Sequence, residues 1–159
     1  ILRETKCDAV KLEGGSLIIN VIEYLTKNKI PVIGHLGILP QSVKGKFKFK
    51  GKKNSERNKI FDDSKLLEKA GVFSIVLECV ESTLAKKISK KLKIPTIGIG
   101  SSKFCDGQIL VTDDLIGLNE TNVRFVKQFG QIKKNISKAA RNFSKEVKNK
   151  KYPSKRYSY

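Results

Sequence analysis

Glu78 closes the run Phe73-Ser74-Ile75-Val76-Leu77, apolar at four of five positions, and is followed by Cys79 and Val80. A strand of that kind carries its carboxylate into a site with little water. Desolvation raises a carboxyl pKa, which suits a general base working near neutrality. The same pattern also describes a strand-end glutamate that is solvated or paired with one of the many lysines. Lys11 and Glu13 lie two apart in Ala9-Val10-Lys11-Leu12-Glu13, so on a strand both point to one face. An ammonium beside a carboxylate can hold an anionic substrate together with a metal ion, and the same two residues can form a plain ion pair. His35 ends the run Pro31-Val32-Ile33-Gly34-His35 and reads as a hydrogen-bonded structural histidine or as a metal ligand.

Other chemistries lack their residues. Gly98-Ile99-Gly100 starts like a dinucleotide fingerprint, but Ser101, Ser102 and Lys103 follow where the third glycine should complete it. Cys7, Cys79 and Cys105 are an odd number without a C-x-x-C spacing, which argues against a disulfide framework or a zinc site and for reduced, structural thiols. The sequence has no P-loop and no H-E-x-x-H.

The elements that must position these residues alternate. A short strand over Ala9–Glu13 is closed by Gly14-Gly15, Ser16 stands where a helix N-cap belongs, and Leu17, Ile18, Val21, Ile22 and Leu25 mark one helical face up to Lys29. A strand begins at Pro31. A helix from about Asp62 to Ala70 precedes the strand Phe73–Glu78, whose composition is that of a strand buried on both faces. A helix over Ser82–Leu92 leads to the strand Pro95–Gly100, and a short loop leads to a last strand over Gln108–Val111. Five strands with helical crossovers predict a parallel α/β sheet, open or closed into a barrel. Lys11, Glu13, His35 and Glu78 all fall at or near the C-terminal ends of their strands, where a parallel barrel gathers its site, and this favours the barrel.

The 159 residues, 39% hydrophobic and 30% charged, suffice for one folded domain and are too few for two ordinary ones. The net charge of +18 is almost wholly lysine, whereas nucleic-acid readers lean on arginine. The charge concentrates in Lys44–Lys59, where Phe47 and Phe49 sit between lysines, and in Lys133–Arg156. The first stretch offers phosphate contacts and stacking faces to a polynucleotide, or is a solvated loop. The second reads as an amphipathic helix whose stripe, Ile132, Ile136, Ala140 and Phe143, is expected to pack rather than bind. Methionine is absent, even at position 1, so an N-terminally incomplete fragment is expected. Neither a signal peptide nor a membrane span is visible, and the default compartment is the cytoplasm, with an organellar presequence left open by the missing N-terminus.

Five segments together carry a resemblance. They are Ala9-Val10-Lys11-Leu12-Glu13-Gly14-Gly15; Gly34-His35-Leu36-Gly37 with Pro40-Gln41-Ser42-Val43; Leu77-Glu78-Cys79-Val80; Ile94-Pro95-Thr96-Ile97-Gly98-Ile99-Gly100; and Asp106-Gly107-Gln108-Ile109-Leu110-Val111. In this order they resemble the ketopantoate hydroxymethyltransferases, also called 3-methyl-2-oxobutanoate hydroxymethyltransferases. The resemblance implies a TIM (β/α)8 barrel of which this chain is the C-terminal part, about five of eight βα units. Residues 1–118 would hold strands four to eight, and residues 119–159 a C-terminal helical extension and basic tail. It implies transfer of a one-carbon unit from 5,10-methylenetetrahydrofolate to 3-methyl-2-oxobutanoate, giving 2-dehydropantoate for pantothenate and coenzyme A synthesis. Mg²⁺, chelated by the substrate's keto and carboxylate oxygens, would stabilise the enolate. Glu78 matches the proton acceptor, Lys11 a substrate-binding lysine and Glu13 a magnesium-associated glutamate, while His35 falls in a motif near the site. The family's two metal-binding aspartates belong to strands before this chain begins, so the isolated fragment is expected to be inactive. A homo-oligomer, a decamer in that family, is implied, with the keto acid and folate as small-molecule partners and neither nucleic acid nor membrane. Two competing readings are a lysine-rich nucleic-acid-binding α/β module and a relative that keeps the scaffold without catalysis.

Overall fold

A computed structural model of the chain describes residues 2–41, 49–120 and 123–159, without the side chains of residues 2 and 3. Ser42, Val43 and the Lys44–Lys48 part of the first basic stretch lie outside the described residues. The chain forms two compact units, Ile1–Ile109 and Leu110–Tyr159.

The first unit is built on a five-stranded parallel sheet whose spatial order follows the chain: β1 (Val10–Glu13), β2 (Val32–Gly37), β3 (Ser74–Glu78), β4 (Thr96–Ile99) and β5 (Gly107–Gln108). All four neighbouring pairs are parallel. Helices α1 (Leu2–Thr5), α2 (Ile19–Lys27), α3 (Asn54–Lys69) and α4 (Ser82–Lys91) precede or connect the strands. The expected parallel α/β sheet, with strands adjacent in chain order, is therefore present.

The core explains the pattern. Val32, Leu36, Ile75 and Leu77 alternate along β2 and β3 and pack with Ile22 of α2, Leu67 of α3 and Leu84 and Ile88 of α4. Each such fully buried aliphatic side chain contributes about 1.5–3 kcal/mol relative to exposure. Gly34 faces the same way, and a Cβ there would come within 2.9 Å of the Leu67 side chain, so glycine is what lets α3 close on the sheet.

Four local expectations need correction. The helix expected from about Asp62 begins at Asn54, because its first two turns are polar residues with no apolar period to announce them. Ser16 caps nothing: Ser16–Ile18 form a 3-10 turn, and the Ser16 N–H donates to Asp63 Oδ1 at 3.1 Å. The last strand is only Gly107–Gln108; Ile109 still donates to the Gly98 carbonyl, but the side chains of Ile109 and Val111 are about half exposed. In the second unit, α5 (Thr112–Leu115) is followed by α6 (Ile132–Lys148), whose stripe was expected to pack. No residue of α6 is buried, and Phe143 meets only the edge of Tyr152 among its described ring contacts, with centroids 5.4 Å apart.

Candidate active site

The parallel register places the singled-out residues. Lys11 and Glu13 share a face of β1, Glu13 pairs with His35 of β2, His35 pairs with Val76 of β3, and Glu78 lies two residues beyond Val76. In-register residues of adjacent strands point the same way and i, i+2 residues share a face. Lys11, Glu13, His35 and Glu78 are thus on one side of the sheet, the side opposite Val32, Leu36, Ile75 and Leu77. Glu13 and Glu78 terminate their strands and His35 is two residues from the end of β2, so the cluster sits at the sheet's C-terminal end, with Lys11 one pleat below.

The strand end that carries Glu78 is tightly specified. Gly37 is the register partner of Glu78 and has φ +104°; a Cβ there would land 2.0 Å from the Glu78 carbonyl oxygen. The Ile38 N–H donates to that carbonyl at 2.9 Å, and the Cys79 N–H donates to Ile99 at 2.8 Å. Cys79 itself has φ +50°, a left-handed conformation unusual outside glycine, and strain of this kind clusters at functional sites.

Burial and neighbouring charges act on Glu78, His35 and Cys79. Burial raises the Glu78 carboxyl above its ordinary value; Lys11 pulls it down and Glu13 adds to the rise. Burial, and then the Lys11 ammonium, hold the His35 imidazole below its usual range against Glu13 and the nearby Ile38 backbone. The Cys79 thiol is pushed up to about 11 by burial and by Glu78, so it is no thiolate nucleophile at neutral pH. His35 Nε2 lies 3.2 Å from Glu78 Oε2, yet the ring is 1% exposed and neither of its nitrogens has an aligned hydrogen-bond partner among the described residues. Glu13 accepts a hydrogen bond from the Gln41 N–H at 3.3 Å. Among the described residues, no three or more His, Cys, Asp or Glu side chains gather to hold a metal ion.

Supporting residues escaped the sequence reading. Asp63, 7% exposed on α3, holds the turn after Glu13 through Ser16 and is so close to Gly15 that a Cβ there would fall 2.2 Å from its carboxylate. The Gly14-Gly15 pair was the one available signal of such an approach. Arg57 of α3 donates to the Gly51 carbonyl, to Glu81 and to Thr83, while Glu81 accepts from the N–H groups of Thr83 and Leu84 and caps α4. This network pins the loop that follows Glu78. It also engages cations of the first basic stretch: Lys50 pairs with Glu56, Arg57 with Glu81 and Lys59 with Asp63. A cavity of about 210 Å³ opens at the ends of β1 and β2 beside Gly14, Gly37, Lys59 and Asp63. A groove of about 410 Å³ between α3 and α4, lined by Phe61 and four lysines, is larger but carries none of the four site residues.

Comparison with known proteins adds a sequence-wide likeness to this geometry. The profile of the family described as "Ketopantoate hydroxymethyltransferase" matches residues 1–155. The "3-methyl-2-oxobutanoate hydroxymethyltransferase" of Pelagibacter ubique (strain HTCC1062) is 63% identical over 159 residues, covering 100% of this chain and 62% of the relative. The protein of the same name from Clostridium botulinum (strain 657 / Type Ba4) is 45% identical over 161 residues, covering 99% of this chain and 58% of the relative. The "3-methyl-2-oxobutanoate hydroxymethyltransferase 2" of Zymomonas mobilis subsp. mobilis (strain ATCC 31821 / ZM4 / CP4) is 46% identical over 155 residues, covering 96% of this chain and 57% of the relative. The chain thus spans about three-fifths of the length of these curated relatives.

Proposed function

The chain belongs to the ketopantoate hydroxymethyltransferase family, and from that premise we propose that it carries the enolising half of a hydroxymethyl transfer from 5,10-methylenetetrahydrofolate to 3-methyl-2-oxobutanoate, yielding 2-dehydropantoate. The observation that carries the reading is the placement of Glu78, Lys11, Glu13 and His35 on one face at the C-terminal end of one parallel sheet. The same placement supports a barrel as the parent architecture, since parallel barrels build their sites at that end.

Glu78 is the base. It takes the C3 proton of the keto acid, the C3–H electron pair stays on the substrate as an enolate, and the enolate carbon attacks the methylene carbon delivered by the folate as one of that carbon's two bonds to folate nitrogen breaks. Water then displaces the second nitrogen, supplying the product hydroxyl and releasing tetrahydrofolate, whose nitrogens take up the protons. A carboxylate raised by burial is a better proton acceptor near neutrality than an ordinary surface glutamate. Lys11 balances the substrate carboxylate with its ammonium, on the same face and two pleats below the base in register.

Glu13 supplies one hard oxygen donor at the strand end, which fits Mg²⁺, an ion held through one or two carboxylates with substrate oxygens and water completing its shell. A bound Mg²⁺ would add Lewis-acid polarisation of the keto oxygen. Glu13 already fixes the Gln41 backbone, so its carboxylate is oriented before any ligand arrives. The family reading carries the remaining proposals: a homo-oligomeric, cytoplasmic enzyme. Among the described residues no helix is long and apolar enough to cross a membrane.

Exchange of the substrate's C3 proton with deuterated solvent, without folate, isolates the base. The assay protein is this chain joined to the part of the Pelagibacter ubique relative that it does not cover. Glu78→Gln keeps the shape and removes the basicity, so exchange should fall by at least about a hundredfold while keto-acid binding changes little. Exchange at the unmutated rate would remove Glu78 from the role of base.

A further inference from the structure

His35 is 1% exposed, lies on the site face between Glu13 and Glu78, and leaves both ring nitrogens without an aligned partner among the described residues. Buried polar groups left unsatisfied are rare and costly, about 1–3 kcal/mol each, so such a ring calls for an explanation. Nε2 is 3.2 Å from Glu78 Oε2, a hydrogen-bond distance lacking only alignment. Catalytic hydrogen bonds in unliganded sites are often misaligned in this way and tighten when substrate arrives.

We infer that His35 is a positioning residue: as a neutral imidazole protonated on Nε2, it donates to Glu78 Oε2 and leaves Oε1 as the oxygen that takes the substrate proton. The inference deepens the proposed function and rests on Glu78 being the base.

Electrostatics selects the tautomer. An imidazole with its proton on Nδ1 would set the Nε2 lone pair against a carboxylate oxygen at 3.2 Å, a repulsive contact in a dry site. An imidazolium is favoured by Glu13 and by the Ile38 backbone, but burial and then Lys11 outweigh them. Only the neutral Nε2–H form turns the contact into an attraction without adding a charge. Consequences follow for the carboxylate. The backbone of Glu78 is fixed by Gly37, Ile38 and Ile99, but its side chain has its own torsions, and His35 is the one side chain within ion-pair distance of it among the described residues. A donor on Oε2 fixes the plane of the carboxylate, and the oxygen without a donor keeps the greater basicity.

The chain has a single histidine, so ¹⁵N labelling of histidine reports His35 alone. In the 159-residue chain the expected spectrum at neutral pH is one Nε2–H tautomer whose Nε2 resonance moves in Glu78→Gln. A Nδ1–H tautomer, the mixed tautomers of a free imidazole, or a resonance indifferent to Glu78→Gln overturns the inference. In the joined protein described above, His35→Leu should slow C3 exchange at least about tenfold at unchanged KM, and His35→Gln, whose amide nitrogen can stand in for Nε2–H, should recover part of the loss. Circular dichroism and thermal melts of both variants separate misfolding from lost positioning. Exchange by His35→Leu at the unmutated rate, or equal losses in both folded variants, overturns the inference too. Absence of C3 exchange in the unmutated protein would sink the proposed function instead, and the tautomer experiment would still decide whether His35 serves Glu78.

Discussion

Helices α3 and α6 are nearly equal in length, 16 and 17 residues, and opposite in what their sequences promise. α6 carries the clearer apolar stripe, Ile132, Ile136, Phe143 and Val147, yet buries no residue. α3 reads as a run of polar and charged residues, yet buries Ile60, Asp63, Ser64 and Leu67. An amphipathic stripe states a capacity for burial, and the capacity is used only where a partner surface exists. α3 has one, and polar bonds hold it there: Asp63 to the Ser16 N–H, Arg57 to Gly51 and Glu81, and Glu68 accepting from the N–H groups of Lys93 and Ile94. These bonds reach the turn after β1, the loop after β3 and the turn before β4. α3 thereby ties together the strand ends that carry Glu13 and Glu78.

The largest expected break in the contrast is at the α3 core. Leu67 is fully buried and fills the space that Gly34 leaves open. Leu67→Ala should cost about 2–5 kcal/mol, through lost transfer energy and the cavity left behind. Urea titration of the chain measures it as a lowered midpoint at similar slope. A shift no larger than that of a surface substitution would mean that α3 is not part of the core.

The sequence shows the strands more clearly than the helices, for a physical reason. Glycine and proline punctuate β1 to β4, and their β-branched interiors have few alternatives. The i, i+2 spacing of Lys11 and Glu13, and the strand-end positions of His35 and Glu78, likewise put the site cluster on one face once the sheet is parallel. What stays hidden is whatever depends on distant partners. The first turns of α3 have no apolar period, and their stability comes from contacts such as that between Arg57 and Glu81, 24 residues apart. Gly107–Gln108 ends early, although Ile109 to Val111 are good strand formers, because a pattern of apolar residues does not say where the chain leaves a sheet. Asp63 looks like one more charge on a charged helix until the turn at Gly15 is seen against it.

A smaller effect, visible in pH, tests the polar side of α3. Burial acts to raise the Glu81 carboxyl, but hydrogen bonds from Thr83, Arg57 and Leu84 outweigh it and bring the pKa from 4.5 down to about 2. A carboxyl depressed in the folded state contributes stability that is present above its unfolded pKa and lost as pH falls through the folded one. The urea midpoint of the unmutated chain should therefore decline between about pH 4.5 and pH 2, and Glu81→Gln should start lower at neutral pH and decline less across that window. Parallel curves for the two proteins would show that the Arg57–Glu81–Thr83 network contributes nothing to holding α3 and α4 together.

The smallest expected effect lies on α6. Phe143 is 58% exposed and its described ring contact is the edge of Tyr152, so replacing it removes little buried area. Serine and phenylalanine have similar helix propensities, which leaves the backbone term nearly unchanged. Phe143→Ser should thus shift the urea midpoint of the 159-residue chain by no more than the roughly 0.5 kcal/mol typical of surface positions, with far-UV dichroism preserved. The comparison with Leu67→Ala is made in one protein under one set of conditions, so it depends on no absolute stability. A loss from Phe143→Ser approaching that from Leu67→Ala would mean that the stripe of α6 is covered in solution, and the two helices would then differ only in how openly their sequences announce the same burial.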